Sequence, residues 1–312
     1  MAAVEPTPET LTSPFVRYLL ATRPAFLAAS LVPCLIGLAS AGSQGAGLHL
    51  GYAILTVIGA VLVHAGINVL NDYYDALSGT DAINKDRLFP FTGGSRFIQN
   101  GVFSPRHTAQ FGAVLLSFGA VIGSWLALAS GPGLWLIGLV GVFIGWAYSA
   151  PPLSLISRGL GELSVALGFG VLIPMGADYV QRGAFSWFPL IAALPYALLV
   201  TNLLYINQFP DWRADKAAGK HHWVVRLGVR RARWGYVLIA VTAYGLLFGN
   251  VATGFLPAPA LVAAMPAAFS IIAAYQLVVS AETPEKLGPA IRLTILSCLS
   301  HGLLLAAALA WA

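Results

Sequence analysis

The chain has 312 residues, 58% of them hydrophobic and only 9% charged, whereas soluble domains carry roughly 25% charged residues. With a mean hydropathy of +0.78, it reads as an integral membrane protein, and soluble classes are set aside. The net charge of +5 does not mark a nucleic-acid binder, because the basic residues sort by membrane side rather than into one patch.

A spanning helix needs about 20 mainly apolar residues. About nine runs meet that rule, near 24–41, 50–70, 108–128, 133–149, 159–180, 187–207, 234–253, 257–279 and 289–311. They are long and apolar all round, which excludes transmembrane β-strands. The segment 1–14 is polar, holds Glu5 and Glu9, and lacks the basic start and small-residue cleavage site of a secretory signal. It is expected to be a flexible lead-in to a retained first helix. Arg23-Pro24 opens that helix, and Arg23 either snorkels to headgroups or points into an anion site.

The second run delivers Asn68, Asp72 and Asp75, whose i, i+4, i+7 spacing puts them on one helical face. Carboxylates at the end of a membrane helix are costly without a cation or other partner. Hard oxygen donors clustered this way suit magnesium, which completes its shell with water and substrate phosphate. His64, one turn earlier, is read as a packing or hydrogen-bonded residue. The loop 76–107 follows, with Asp81, Lys85, Asp86, Arg87 and Arg96 among glycines at 79, 93, 94 and 101. Its length and mixed charge suit a flap that handles phosphate. A solvated loop would account for its bases, but not for its acids.

The fourth run ends at Tyr148-Ser149-Ala150-Pro151-Pro152, where the prolines stop the helix. Tyr148 and Ser149 fall level with the aspartates. Glu162 opens the fifth run as a helix-dipole partner, and Asp178 falls at the opposite end. The sixth run delivers Asn207, Asp211 and Asp215 at i, i+4, i+8, with Pro210 putting helix continuity in question. Lys220 follows in the most basic loop. His221 and His222 lack any metal-site context. His301, Cys34 and Cys298 read as buried core residues, and no disulfide framework or zinc pattern exists.

With the N-terminus inside, all lysines and arginines except Arg182 fall on inner segments, a strong positive-inside bias. The orientation is therefore expected to be N-terminus cytoplasmic, with both aspartate groups on that side. The same acidic device recurs four helices apart, which suggests a single domain, 1–312, built as two four-helix units plus a ninth helix.

These residues resemble the UbiA superfamily of intramembrane prenyltransferases, over nearly the whole chain. The resemblance is closest to its MenA-like branch, the dihydroxynaphthoate polyprenyltransferases. It is carried by NDYYDALSGTD at 71–81, TGGSRFIQNG at 92–101, YSAPPLSLISRGLGE at 148–162, DWRADKAAGKHHWVVRLG at 211–228, and Arg23-Pro24. The arginine-proline element that hydroxybenzoate and haem O branches carry after the first motif is absent. Asn207-Gln208-Phe209-Pro210 stands where the family more often has a charged residue and no proline.

The resemblance implies an all-α membrane fold of about nine helices around a central cavity. It also implies a multi-pass enzyme of the inner (plasma) membrane with a cytoplasm-facing site. Two Mg2+ ions would be held by Asn68, Asp72, Asp75, Asn207, Asp211 and Asp215, with the four aspartates as the catalytic set. Arg23, Asn68, Asp81, Lys85, Arg87, Arg96, Tyr148, Ser149, Asn207 and Lys220 would bind substrate. The expected partners are a prenyl diphosphate, a small aromatic acceptor and the lipid bilayer. The expected acceptor is 1,4-dihydroxy-2-naphthoate, of menaquinone synthesis. Another aromatic such as 4-hydroxybenzoate, a diphosphate-ionising cyclase on the same scaffold, and a membrane transporter are the alternatives. A transporter would place its ionisable residues near the midplane, whereas nearly all here lie at one level.

Overall fold

A computed structural model describes residues 4–312; residues 1–3 of the expected flexible segment lie outside the described residues. The described chain is helical throughout: α1 (Pro14–Ala21), α2 (Pro24–Ser43), α3 (Leu50–Ser78), α4 (Thr80–Ile83), α5 (Pro105–Ser130), α6 (Gly133–Ser149), α7 (Gly161–Leu167), α8 (Ile173–Arg182), α9 (Phe188–Ala217), α10 (Trp223–Leu227), α11 (Val229–Ala252), α12 (Ala267–Ser280) and α13 (Gly288–Trp311). Among the described residues, eight helical segments are long and apolar enough to cross a membrane, and α6 adds a shorter apolar helix of 17 residues. Leu128, Ile271, Val121 and Leu139 are each at least 66% exposed. An apolar exterior on this scale faces lipid rather than water.

Local chemistry sets the helix ends. Ser13 Oγ caps α1 by accepting from Val16 N–H. Arg23 holds φ +57 immediately before Pro24; proline disfavours helical geometry in the residue before it, so α1 and α2 meet at a corner. The first acidic helix, α3, runs 29 residues and stops at left-handed Gly79. It therefore reaches further into the 76–107 segment than the sequence reading placed it, and α4 takes four residues more. The segment Gly161–Arg182 is interrupted by a π-helical turn at Gly168–Leu172. Pro174 follows it and cannot donate to residue 170, which relaxes the ladder there. In α9 the helix is continuous through both Pro195 and Pro210 for 30 residues. The proline that put continuity in question is fully enclosed by packing that holds the chain helical around it.

Lipid is as apolar as leucine, so helices here gain little by hiding leucines and much by close fit. The fit uses glycine. On α3 and α5, Gly66 faces Gly112 and Gly59 faces Gly119, seven residues apart on each helix, and these two helices share the most extensive contact in the molecule. A Cβ on Gly112 would lie 2.8 Å from Leu70 Cγ and 3.2 Å from Gly66 O. The main core lies between α2, α9, α11 and α13, with Ile36, Tyr196, Leu247, Leu305 and Leu309 sealed within it. α2 packs on both α3 and α9 and so holds their acidic ends at one level. Gly112→Val should cost about 1–3 kcal/mol by overpacking. Gly249→Val, where a Cβ meets nothing within 4 Å, should be neutral or slightly stabilising, because valine is a better helix former than glycine. Thermal melting of both variants in detergent separates the two effects, and equal melting would show that the α3–α5 seam is not tight.

Candidate active site

The first acidic group forms at the end of α3. Asp75 and Asn71 share a turn, with Asn71 Nδ2 donating to Asp75 Oδ2 at 3.3 Å and to Ser149 Oγ at 2.7 Å. Asn68 donates its amide to the Thr22 carbonyl at 3.2 Å. Asp72 is 5% exposed and turned back, its Oδ1 accepting from Ser95 N–H at 3.2 Å. Asp81 joins this group from α4, because α3 ends in time for the chain to fold over it. A Cβ on Gly94 would touch both Asp81 Oδ2, at 2.7 Å, and Asp72 Oδ1, at 3.1 Å. Gly94 has φ +72, so glycine there meets both a conformational and a steric demand.

The second group forms at the end of α9. Asp211 accepts from Asn84 Nδ2 at 2.7 Å and from Gly93 N–H at 3.2 Å. Asp215 accepts from His222 Nε2 at 3.1 Å. Lys220 joins the two groups: its Nζ lies 2.9 Å from Asp75 and 3.3 Å from Asp215. Burial works against that ammonium, but Asp75 and Asp215 more than reverse the effect and raise its pKa. The loop 84–104 crosses both groups, so one backbone stretch, Gly93 to Ser95, hydrogen-bonds to carboxylates of each.

Beneath them lies a cavity of about 570 Å³. It follows α3 from Thr56 to Asp75, about 28 Å of helix at 1.5 Å per residue. It is lined by Arg23, Asn68, Asp75, Asp81, Tyr148, Asn207, Asp211, Asp215 and Lys220, and lower down by Gly141, Leu172 and Trp135. Its wall includes Leu139, which is 66% exposed, so the cavity is only partly enclosed on its apolar side.

Not every residue singled out in the sequence lines this space. Asp72 sits one layer behind it. Lys85 is exposed, and Ser149 serves Asn71. Arg87 Nε donates to Glu5 Oε1 at 2.7 Å, and Arg96 lies 3.8 Å from Glu5 and donates to the Asp81 carbonyl. The two arginines expected to face phosphate are thus turned to the N-terminal segment, which Glu5 and Asn100 tie to the loop. Burial would lift the Glu5 carboxyl, but hydrogen bonds from Arg87 and Asn100 hold it below its ordinary value. Arg23, by contrast, lines the cavity, donates to the Phe91 carbonyl at 3.5 Å and lies 4.6 Å over the Phe26 ring, with no carboxylate partner among the described residues. Asp178 pairs with Arg182 at 3.0 Å, away from the cavity, as expected. Asn71, Asn84 and Ser95 were not singled out in the sequence, and Gly93 was noted only as a loop glycine; the run TGGS, with paired glycines opposite an acidic motif, was the signal for Gly93 and Ser95.

The donor set can be tested for a divalent cation. Among the described residues, no three His, Cys, Asp or Glu side chains converge closely enough to hold a metal unaided. The oxygens nevertheless fit a hard ion. Asn84 Oδ1 and Asn207 Oδ1 are buried with no partner, beside Asp211. A partial oxygen shell from each group, completed by water and phosphate, is how magnesium is ordinarily held.

Without a cation these carboxylates oppose one another. Burial first, then the charges of Asp75 and Asp72, lift the Asp81 carboxyl from its ordinary 3.8 to about 8, against the pull of Lys220 and Arg23. The folded protein therefore binds a proton there that the unfolded chain has released. Its contribution to stability is full below about 4 and is lost as pH rises toward 8. Melting temperature in metal-free detergent buffer should fall across that window, and Asp81→Asn should flatten the fall. An unchanged slope in the variant would assign it to another group.

The UbiA prenyltransferase family model matches residues 30–309. A 1,4-dihydroxy-2-naphthoate octaprenyltransferase of Mycobacterium tuberculosis is 30% identical over 300 residues, 95% of this chain and 98% of that one. A 2-carboxy-1,4-naphthoquinone phytyltransferase of Synechocystis sp. is 31% identical over 235 residues, 75% of this chain and 74% of that one. Among solved structures, a UbiA homolog from Archaeoglobus fulgidus bound to DMAPP and Mg2+ superposes with a TM-score of 0.65, at 17% identity, over 93% of this chain and 99% of that one. That likeness carries the fold, and the sequence match carries the family. With both acidic motifs inside the matched span, the chain belongs to the UbiA prenyltransferase family and is a multi-pass membrane prenyltransferase.

Proposed function

We propose that this enzyme transfers a polyprenyl group from a prenyl diphosphate to 1,4-dihydroxy-2-naphthoate, in a magnesium-dependent reaction of menaquinone synthesis. One observation carries the reading: two acidic groups, joined across Lys220, close one end of an otherwise apolar cavity that is only partly enclosed on its apolar side. A diphosphate with a long hydrocarbon tail has the same polarity profile. The names of the naphthoate-prenylating relatives support the acceptor, and the Mg2+-bound neighbour supports the ion.

In this reading Asn68, Asp75 and Asp81 would hold one Mg2+, with Asp72, expected from the sequence to be a ligand, standing behind them against Ser95 N–H, and Asn207, Asp211 and Asp215 would hold a second. Bound there, the ions would neutralise charge on the departing diphosphate and so favour cleavage of the allylic C–O bond. Lys220 and Arg23 balance the remaining phosphate charge from the cavity wall. The loop 84–104 closes the polar end and excludes water from the reacting carbon. The cavity's apolar length takes the tail, and Tyr148 borders the acceptor's place. The orientation is N-terminus inside with nine crossings, α6 included. This follows from the lysine and arginine asymmetry and puts the site on the cytoplasmic side of the plasma membrane. The whole chain is one domain in which α3 and α9 occupy equivalent places.

Purified protein incubated with magnesium, prenyl diphosphates of several lengths, and a panel of naphthoates and phenols should give a product of prenylated-naphthoate mass. Product from 4-hydroxybenzoate alone, or a cyclised hydrocarbon without acceptor, would replace the reading. Asp75→Asn and Asp211→Asn should each lower kcat by at least about 100-fold. Because both act on one metal–diphosphate assembly, the double variant should be little worse than either single one. Losses that multiply would separate the two groups into independent sites.

A further inference from the structure

The cavity wall below the carboxylates holds one buried imidazole that the proposed reaction leaves unused. His64 is on α3, four residues before Asn68, hence about 6 Å down the helix axis; both side chains line the cavity. Its side chain is fixed from two directions. Nδ1 lies 2.8 Å from Ser30 Oγ, a fully buried hydroxyl on α2. The ring meets Phe169 edge-on, with centroids 4.8 Å apart and planes at 70°. Phe169 belongs to the π-helical turn that Pro174 imposes, so that irregularity is what brings the ring onto the imidazole. Among the described residues Nδ1 makes the ring's one hydrogen bond of ordinary length, and Asn68, on the next turn toward the aspartates, is the polar side chain within reach of the ring. An ionisable side chain held inside a membrane cavity marks a functional site by default.

The other ionisable groups along the cavity are committed or unsuited. Asp75 and Asp215 are paired with Lys220, Asp211 is held by Asn84 and Gly93, and Asp81 accepts from Gln99 Nε2 at 3.2 Å. Lys220 and Arg23 are cations, and Cys34 and Tyr148 are weak acids. Among the described cavity-lining residues His64 alone is a neutral nitrogen base. It stands below the polar end, where a ring attacking the first carbon of the prenyl chain would lie.

We propose that His64 is the proton acceptor for the aromatic substrate, a role that rests on that substrate being a hydroxylated aromatic. With Nδ1–H donated to Ser30 Oγ, the lone pair is on Nε2 and receives the ring O–H. As the ring carbon bonds to the allylic carbon, the C–O bond to diphosphate breaks and its electron pair leaves with the diphosphate. The O–H proton passes to Nε2, and its electron pair raises the nucleophilicity of the ring. The proton returns to that oxygen when the ring carbon loses its own hydrogen, which departs with the diphosphate. His64 ends neutral, and Ser30 accepts from Nδ1–H in both protonation states. Ser30 is a positioning residue.

The test uses His64→Gln and His64→Phe, the second of which keeps a ring against Phe169. Each is assayed with two sets of acceptors, whose hydroxyls ionise above and below the assay pH. With un-ionised acceptors kcat should fall at least about 100-fold; with ionised acceptors, which need no base, it should fall less than about fivefold. The thermal shift given by magnesium with a non-reactive prenyl thiodiphosphate should match wild type. Ser30→Ala should show the same acceptor-dependent split, weaker in size. Equal losses for both acceptor sets, no loss, or disappearance of the thermal shift in both His64 variants would each overturn the role and make His64 a packing residue. If wild-type protein, with its thermal shift intact, prenylates no hydroxylated aromatic, the proposed function itself falls, and this role with it.

Discussion

The polar end of this molecule depends on Lys220. Asp75 and Asp215 come from helices α3 and α9, well over a hundred residues apart in the chain, and one ammonium touches both. At 4 Å two like charges repel by about 4 kcal/mol even at an effective dielectric constant near 20, so two acidic helix ends cannot share a buried space on packing alone. The chain places the cation by a short reversal after α9. Gly219 takes φ +80, Lys220 N–H donates back to the Asp215 carbonyl at 2.9 Å, and His221 N–H donates to the Ser157 carbonyl at 2.7 Å. The lysine is therefore held by backbone as well as by charge. Removing one partner of such a buried pair typically costs about 3–5 kcal/mol, far more than a surface pair contributes.

A second layer of neutralisation comes from backbone dipoles. Gly93 and Ser95 present N–H groups to Asp211 and Asp72, so the loop 84–104 serves as a ligand to the acidic groups. This is why the loop is ordered despite its length, and why its glycines fall where they do. Arg87 and Arg96 belong to a third layer: they fasten the loop outward to Glu5. Charge alternates from the cavity outward, from carboxylate to donor loop to arginine to Glu5.

Much of this was legible in the sequence because membrane constraints leave few choices. Apolar runs of helical length, separated by prolines and glycines, fixed the number and order of helices to within the short α6. Spacing put Asn68 and Asp75 on one face. Where spacing misled, the cause was three-dimensional. Asp72 shares the helical face in projection, but Gly94 and Ser95 pack against it and turn it from the cavity. Arg87 and Arg96 had the right charge for phosphate, but a one-dimensional reading could not see that Glu5, more than eighty residues earlier, would claim them. Pro210 is a helix breaker by propensity, yet burial on all sides keeps α9 intact. His222 lacked any motif context and proved to be a hydrogen-bond partner of Asp215.

The face that α3 turns to the cavity orders the chemistry by depth. Thr56 and Ala60 come first, then His64, Asn68, Asn71 and Asp75, a progression from apolar through neutral hydrogen-bonding groups to charged ones along one helix. Each step of four residues is about 6 Å. A substrate with one highly charged end and one hydrocarbon end can lie along this face in a single direction, since reversing it would bury phosphate against methyl groups and set isoprene against carboxylates. The helix thereby fixes direction before any specific contact is made. In the proposed reaction the groups between Asn68 and His64 would meet the junction of the diphosphate and its tail, the position where a bond must break. On the cavity wall Gly141 carries no side chain and a Cβ there would meet only Leu172, at 3.8 Å. In the proposed reaction the spacing of polar residues on one helix would place the reacting carbon, while α2 links that helix to α9 and the cavity stays only partly enclosed.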